Sequence, residues 1–149
     1  STDAWLGPDE NLLRKRDEDY GLGLKVIFYG EAEWGRAMQL MAIMDIVVVP
    51  SRFEGFGLTA AEAMAGGKPV AASDSTGLKE VINDGESGIL FPVDDVSALT
   101  RALQKLIMDP DLRQRFGTVG EKRITEHFSL EIFTRKIQAL YNHYLSRVS

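Results

Sequence analysis

Residues 47–65, VVVPSRFEGFGLTAAEAMA, decide how this chain is read. With Ile46 the run opens as a nearly continuous Val/Ile strand, the pattern of a strand covered on both faces. Pro50-Ser51 turns the chain, Glu54-Gly55-Phe56-Gly57 forms a glycine-bearing loop, and a helix of small residues follows that carries a second carboxylate, Glu62. A strand that delivers a loop onto the start of a helix makes a ready anion site, because the first helical N–H groups have no partner within the helix.

Outward from this stretch, strands and helices alternate. Upstream, residues 25–29 (KVIFY) are β-branched and aromatic and end at Gly30, so they read as a strand. A helix precedes them over residues 9–20, with its acids early, Arg14-Lys15-Arg16 late, and Gly21 and Gly23 as stops. Residues 36–44 place Met38, Leu40, Met41 and Met44 at helical spacing. Residues 4–6 read as the tail of a strand or as a frayed terminus. Downstream, Gly66-Gly67 caps the small-residue helix, and a strand follows over residues 70–72. Residues 78–84 are a short helix or turn, and a fourth short strand at residues 89–91 is closed by Pro92.

From residue 94 the pattern is helical. A first helix over residues 97–108 puts Leu99, Leu103, Leu106 and Ile107 on one face, and Asp109-Pro110 ends it. A second, over residues 111–127, turns Leu112, Phe116 and Ile124 inward, with Gly117 and Gly120 weakening its middle. Ser129 is the expected N-cap of a third, whose Phe133, Ile137, Leu140, Tyr141 and Tyr144 share a face. The fold class is therefore α/β, a Rossmann-like parallel sheet flanked by helices. The chain reads as one domain, with residues 1–8 as lead-in, 9–92 as α/β core and 94–149 as C-terminal helices. In such sheets ligands sit beyond the carboxyl ends of the strands, where residues 51–57 lie.

Composition removes several classes of function. The 17 Lys and Arg against 22 Asp and Glu give a net charge of −5, so there is no general basic field for a nucleic-acid backbone. The absence of cysteine excludes disulfides, thiol catalysis and Cys-based zinc sites. The longest apolar run, residues 41–50, is interrupted by Asp45 and is far shorter than the roughly 20 residues of a membrane helix. The first ten residues carry no signal-peptide pattern. His127 and His143 fall in the terminal helices, and no nucleophile–histidine–acid set can be assembled around them.

Glu54 and Glu62 are separated by seven residues with a loop-to-helix bend between them, so both can face one cleft. Two carboxylates in a pocket suit either a metal or a hydroxyl-rich guest. With no third acid or histidine nearby, a metal is disfavoured and a sugar or ribose is the simpler ligand. Gly55 and Gly57 let backbone N–H groups approach a phosphate. The plainer reading is a glycine turn flanked by two solvated glutamates, and spacing alone leaves the two in balance.

The residues themselves go further. PSRFEGFGLTAAEAMAGGKPVAAS closely resembles the acidic signature of retaining GT-B glycosyltransferases, in particular glycosyltransferase family 4, whose pattern is Glu, seven residues, Glu. The resemblance continues through Glu80, the DGESGILFP turn and ALTRALQKLIMDPDLRQRFG, and upstream through GPDENLLRKRDEDYGLGLKVIFYGE. It implies the C-terminal half of a GT-B fold, which holds a nucleotide-diphosphate sugar such as a UDP-, ADP- or GDP-sugar as substrate, with no cofactor and no metal. Glu54 would lie beside the donor sugar as the acid with a direct part in transfer. The backbone of Phe56, Gly57, Leu58 and Thr59 would hold the sugar and distal phosphate, and Glu62 the ribose hydroxyls. Tyr29 and Gly30 are weaker candidates for the base.

The resemblance also implies an N-terminal acceptor domain, and an Arg and a Lys that grip the diphosphate, outside these 149 residues. Arg14, Lys15 and Arg16 do not stand in that context. Thr76-Gly77-Leu78-Lys79-Glu80 departs from the family's Gly-Gly-x-Pro-Glu, which leaves the shape of that loop open. A cytoplasmic location is expected, with any peripheral membrane attachment made through the acceptor domain. Two other functions fit the same residues: a non-catalytic nucleotide-sugar-binding or regulatory module, and a GT-B sugar-nucleotide epimerase. A dinucleotide-dependent Rossmann enzyme is disfavoured, since no Gly-x-Gly-x-x-Gly follows the first strand.

Overall fold

The computed structural model describes residues 8–129 together with 131, 132, 134, 138 and 139. The chain falls into two compact units, residues 1–39 and 40–149. In the first, α1 (Pro8–Asp19) is followed by a 3-10 turn at Gly23–Lys25 and then by α2 (Trp34–Ile43), which runs on into the second unit.

The strand expected at residues 25–29 does not form. Val26 is extended (φ −115°, ψ 127°), but no described residue pairs with the segment, and Ile27 is 83% exposed. The preference of Val, Ile, Phe and Tyr for strands reflects packing against sheet neighbours, and without a neighbouring edge it produces only extended chain. The Arg14 guanidinium lies 4.5 Å from the Phe28 ring centre. Residues 4–6 lie outside the described residues.

The second unit is built on a parallel sheet in the order β1 (Val47–Val49), β2 (Val70–Ser73), β3 (Ile89–Phe91), with Val47 opposite Val70 and Ala71 opposite Ile89. Three described strands thus stand where four were expected, the missing one being residues 25–29. All four residues of β2 are buried, as its central place requires. One face of the sheet packs against α3 (Leu58–Ala65) and α4 (Thr76–Val81) through Val47, Val49, Ala60, Met64, Val70, Leu78, Val81 and Ile82. The other packs against α5 (Val96–Met108) and the start of α6 (Pro110–His127) through Ala71, Phe91, Ala102, Leu106, Leu112 and Phe116.

Helix ends follow their sequence signals. Gly67 takes the left-handed conformation (φ 68°), Gly67 N–H donates to Met64 O and Lys68 N–H to Ala63 O, which together make a Schellman C-cap for α3. Asp95 and Asp109 accept from Ala98 N–H and Leu112 N–H to cap α5 and α6. On α5 the inward face is Leu99, Ala102, Leu103 and Leu106. Ile107, expected inward, is 60% exposed because it lies one residue beyond that face.

The two glycines of α6 differ. A methyl group at Gly117 would run into the Gly67 carbonyl, so this glycine lets α6 close onto α3, whereas one at Gly120 would make only ordinary contact with the Met64 side chain at 3.4 Å. Ser129 Oγ accepts from Ile132 N–H at 3.3 Å, as an N-cap does, and the described residues after it are helical. Phe133, Ile137, Leu140, Tyr141, His143 and Tyr144 lie outside the described residues.

Candidate functional site

Because the strands are parallel, the chain leaves all three at one end of the sheet: residue 50 after β1, 74 after β2 and 92 after β3. The three connections are tied to each other there. Ser73 Oγ donates to the Ser51 carbonyl, Arg52 Nε reaches Asp94 Oδ1 at 2.7 Å, and Gly77 N–H donates to the Glu54 carbonyl at 3.2 Å. Asp94 holds a left-handed conformation (φ 62°), uncommon for a residue other than glycine, in the turn that brings it to Arg52.

The loop between β1 and α3 is shaped by Gly57, the N-cap of α3, whose φ of 85° aims the following N–H groups along the start of the helix. Glu54 Oε1 accepts from Gly57 N–H at 3.1 Å, so the half-buried carboxylate caps the loop that carries it. Phe56 and Leu58 are 44% and 60% exposed, and Thr59 is exposed as well. Glu62 is half-buried on α3, four residues after Leu58 and hence on the same side of the helix. The structure therefore joins Glu54, Phe56, Gly57, Leu58 and Thr59 in one turn at the head of α3, with Glu62 one helical turn further on.

Tyr29 and Gly30 belong to the first unit, where both are exposed and the Tyr29 hydroxyl accepts from Arg36 Nε at 2.6 Å. Among the described residues no group of three His, Asp or Glu side chains could hold a metal ion. His127 is exposed in the last turn of α6.

Beside the loop lies a cleft of about 390 Å³, lined by residues from Arg52 to Gly55, by Asp74, Ser75, Thr76 and Lys79, and by Val93. Its walls mix acids and bases: Glu54, Asp74 and Arg52 are joined by Lys79, whose Nζ lies 2.9 Å from Asp74 Oδ1. Phe53 is 94% exposed, and the buried Ser75 hydroxyl has no hydrogen-bond partner. An aromatic side chain, a hydroxyl and carboxylates with adjacent cations can together bind a polyhydroxylated molecule.

The segment 76–80, whose shape the sequence left open, is the helix α4. Two residues that sequence reasoning passed over hold it against the loop. A methyl group at Gly77 would lie 2.6 Å from the Glu54 carbonyl oxygen and 2.7 Å from Phe56 N, so only glycine lets α4 seat directly on the loop backbone. Arg123 donates from α6 to the Val81 and Glu80 carbonyls at 2.7 and 2.8 Å, satisfying the C-terminal end of α4 with a cation. The same guanidinium covers the Phe128 ring, which meets Phe56 edge-on at 5.8 Å between ring centres. Local sequence carries no sign of Arg123, because its partners are more than 40 residues away. Gly77 was visible only as a glycine within an atypical loop.

Residues 6–123 match the family model described as glycosyl transferases group 1. The chain is 34% identical over 138 residues to a lipopolysaccharide core biosynthesis mannosyltransferase of Rhizobium meliloti, an alignment that spans 89% of this chain and 38% of that protein's length. Its structure resembles sucrose-phosphate synthase from Thermosynechococcus elongatus with a TM-score of 0.83 and 32% identity, over 95% of this chain and 35% of the other. It resembles an Anabaena protein crystallised in complex with UDP with a TM-score of 0.79 and 27% identity, over 89% and 36%. The chain thus spans little more than a third of the length of these relatives. Among the described residues no helix is long and apolar enough to cross a membrane. A family match over most of the residues, a parallel sheet flanked by helices, and an acidic loop at the head of α3 converge: this chain belongs to the group 1 glycosyl transferases.

Proposed function

We propose that the protein to which this chain belongs transfers a glycosyl unit from a nucleotide-diphosphate sugar to an acceptor hydroxyl with retention of configuration, and that these residues form its donor-binding half. The observation that carries this reading is the turn at the head of α3, where Gly57 takes a left-handed conformation and Glu54 and Glu62 flank the backbone of Phe56, Gly57, Leu58 and Thr59. The UDP complex of the Anabaena neighbour supports a nucleotide at this fold. No cofactor is called for, and the donor is a substrate.

In this reading Glu62 accepts hydrogen bonds from the ribose hydroxyls and Glu54 from the donor sugar. The N–H groups of residues 56–59, with the positive end of the helix dipole, hold the distal phosphate. As the bond from C1 to the diphosphate breaks, negative charge grows on the leaving oxygen, and those fixed donors stabilise it more than they stabilise the intact donor. The acceptor oxygen takes the configuration at C1 that the diphosphate oxygen held, and the acceptor proton leaves with the products. The acceptor side and the cations that grip the diphosphate belong to a part of the protein beyond these residues.

The test is a titration of the isotopically labelled chain with UDP-, ADP- and GDP-sugars, followed by amide chemical shifts. Binding is expected with one base preferred and shifts centred on residues 56–59 and Glu62. If none of the three perturbs these amides at millimolar concentration, the donor site is refuted. A binding module without chemistry is separated from an enzyme by the Glu54→Ala variant of the longer protein, in which transfer is expected to fall by at least about 100-fold. Product analysis without acceptor separates transfer from epimerisation.

A further inference from the structure

The hydrogen bond from Gly57 N–H to Glu54 places an acid where the donor reading places a phosphate. Gly57 N–H is the first donor at the head of α3, an eight-residue helix with no acid in its first turn. An amide N–H gives one strong hydrogen bond, so a carboxylate and a phosphate oxygen cannot both hold it. Two anions at this distance also repel. Gly57 presents that N–H from a left-handed conformation, with φ of 85°.

From this, and resting on the donor reading above, we infer that the Glu54 carboxylate and the donor's distal phosphate exchange on Gly57 N–H: the phosphate binds by displacing Glu54, and the displacement releases Glu54 for the sugar. The acid is held off the reacting centre by the same bond that the donor must break. Once released, the carboxylate has polar groups within the cleft that Glu54 already lines, where Ser75 carries a buried hydroxyl with no partner and Lys79 an ammonium group beside Asp74. Nucleotide binding and placement of the acid are then one event, and occupancy of the phosphate position is read by the residue that acts on the sugar.

The exchange predicts that removing the carboxylate improves phosphate binding, the reverse of what loss of a supporting residue does. The experiment titrates the labelled 149-residue chain and its Glu54→Gln and Glu54→Ala variants with inorganic pyrophosphate, with UDP, and with uridine as the arm lacking phosphate. Pyrophosphate and UDP are expected to bind Glu54→Ala about threefold to tenfold more tightly than the unaltered chain, the gain from removing a competing charge-assisted hydrogen bond. Glu54→Gln should fall between them, because its amide oxygen still accepts from Gly57 without the charge. Uridine affinity should not change.

The Gly57 amide resonance should differ between the chain and Glu54→Ala before pyrophosphate is added and coincide at saturation. Equal or weaker pyrophosphate binding by Glu54→Ala, with shifts still at residues 56–59, overturns the exchange and leaves the donor site standing. If pyrophosphate moves none of these amides in any of the three proteins, the donor reading falls and the exchange with it. Should Glu54→Ala lose its folded spectrum, Glu54→Gln decides, and an affinity equal to that of the unaltered chain overturns the inference.

Discussion

Gly77 and Gly117 meet the same steric problem in two regions of the second unit, and its consequences differ. At the seam between α3 and α6, Gly117 lies against the Gly67 carbonyl, where a regular helix meets the Schellman cap of another. At the carboxyl end of the sheet, Gly77 lies against the backbone of residues 54–56, where a short helix meets a loop. Both sides of the seam are fixed by their own hydrogen bonds and by the buried Met64 and Phe116. One side of the other contact is held mainly by the Glu54 hydrogen bonds and by Ser51, Arg52 and Phe56. A clash at the seam has nowhere to go and must appear as lost stability. A clash at the loop can be relieved by moving the loop, and must appear as lost site geometry.

The largest expected effect tests the seam. Gly117→Ala should destabilise the second unit by about 3 kcal/mol, the upper part of the range for overpacking, because the obstacle is backbone on both sides. Urea unfolding followed by circular dichroism measures it. Amide shifts at residues 54–59 should be unchanged under conditions in which the variant is still folded. A Gly117→Ala protein as stable as the parent would mean that α6 slides freely over α3, and the contrast drawn between the two regions would fail.

Next in size is Gly77→Ala. Its methyl group meets three backbone atoms of residues 54–56 within 2.7 Å, so the loop must shift. A stability loss of about 1–2 kcal/mol is expected. Nucleotide-sugar binding should weaken by about tenfold or more in the folded variant, since displacement of a binding group by an ångström is costly. Titration of the folded variant separates the two losses. If binding is unaffected while stability falls as at Gly117, α4 is a packing element only.

The same contrast explains what was legible in the sequence. The continuous valines of β1, the small residues of α3 and the paired Gly66-Gly67 are local signals, and the structure bears each of them out. Residues 25–29 have the composition of a strand, but composition is local and pairing is not: no described residue hydrogen-bonds with them as a strand neighbour. For the site, the head of α3 was legible because loop and helix are adjacent in sequence. The supports of that loop were not: Gly77 reaches it across 23 positions, Arg52 meets Asp94 across 42, and Arg123 holds α4 from α6. A glycine in sequence says that something approaches closely or that the chain turns. It does not say which, and Gly117, read as a weak point of its helix, is a packing contact.

The smallest expected effect is the most discriminating, because it has the opposite sign within the same helix. Gly120 lies three residues after Gly117 and on the same buried face of α6, but a methyl group there would meet only Met64 side-chain atoms, the nearest at 3.4 Å. That is ordinary van der Waals contact, and a methionine has three rotatable bonds with which to yield. Against this mild crowding stands the helix preference of alanine over glycine, about 1 kcal/mol in a helix interior. The second term is the larger, so Gly120→Ala should stabilise the protein by about 0.5 kcal/mol, read as a higher urea midpoint at unchanged slope. A loss of more than about 1 kcal/mol would show that Met64, fully buried between α3 and α6, has no alternative rotamer. The seam would then be as unyielding at a side chain as it is at the Gly67 carbonyl, and only the contact at Gly77, where a loop can give, would keep its separate character.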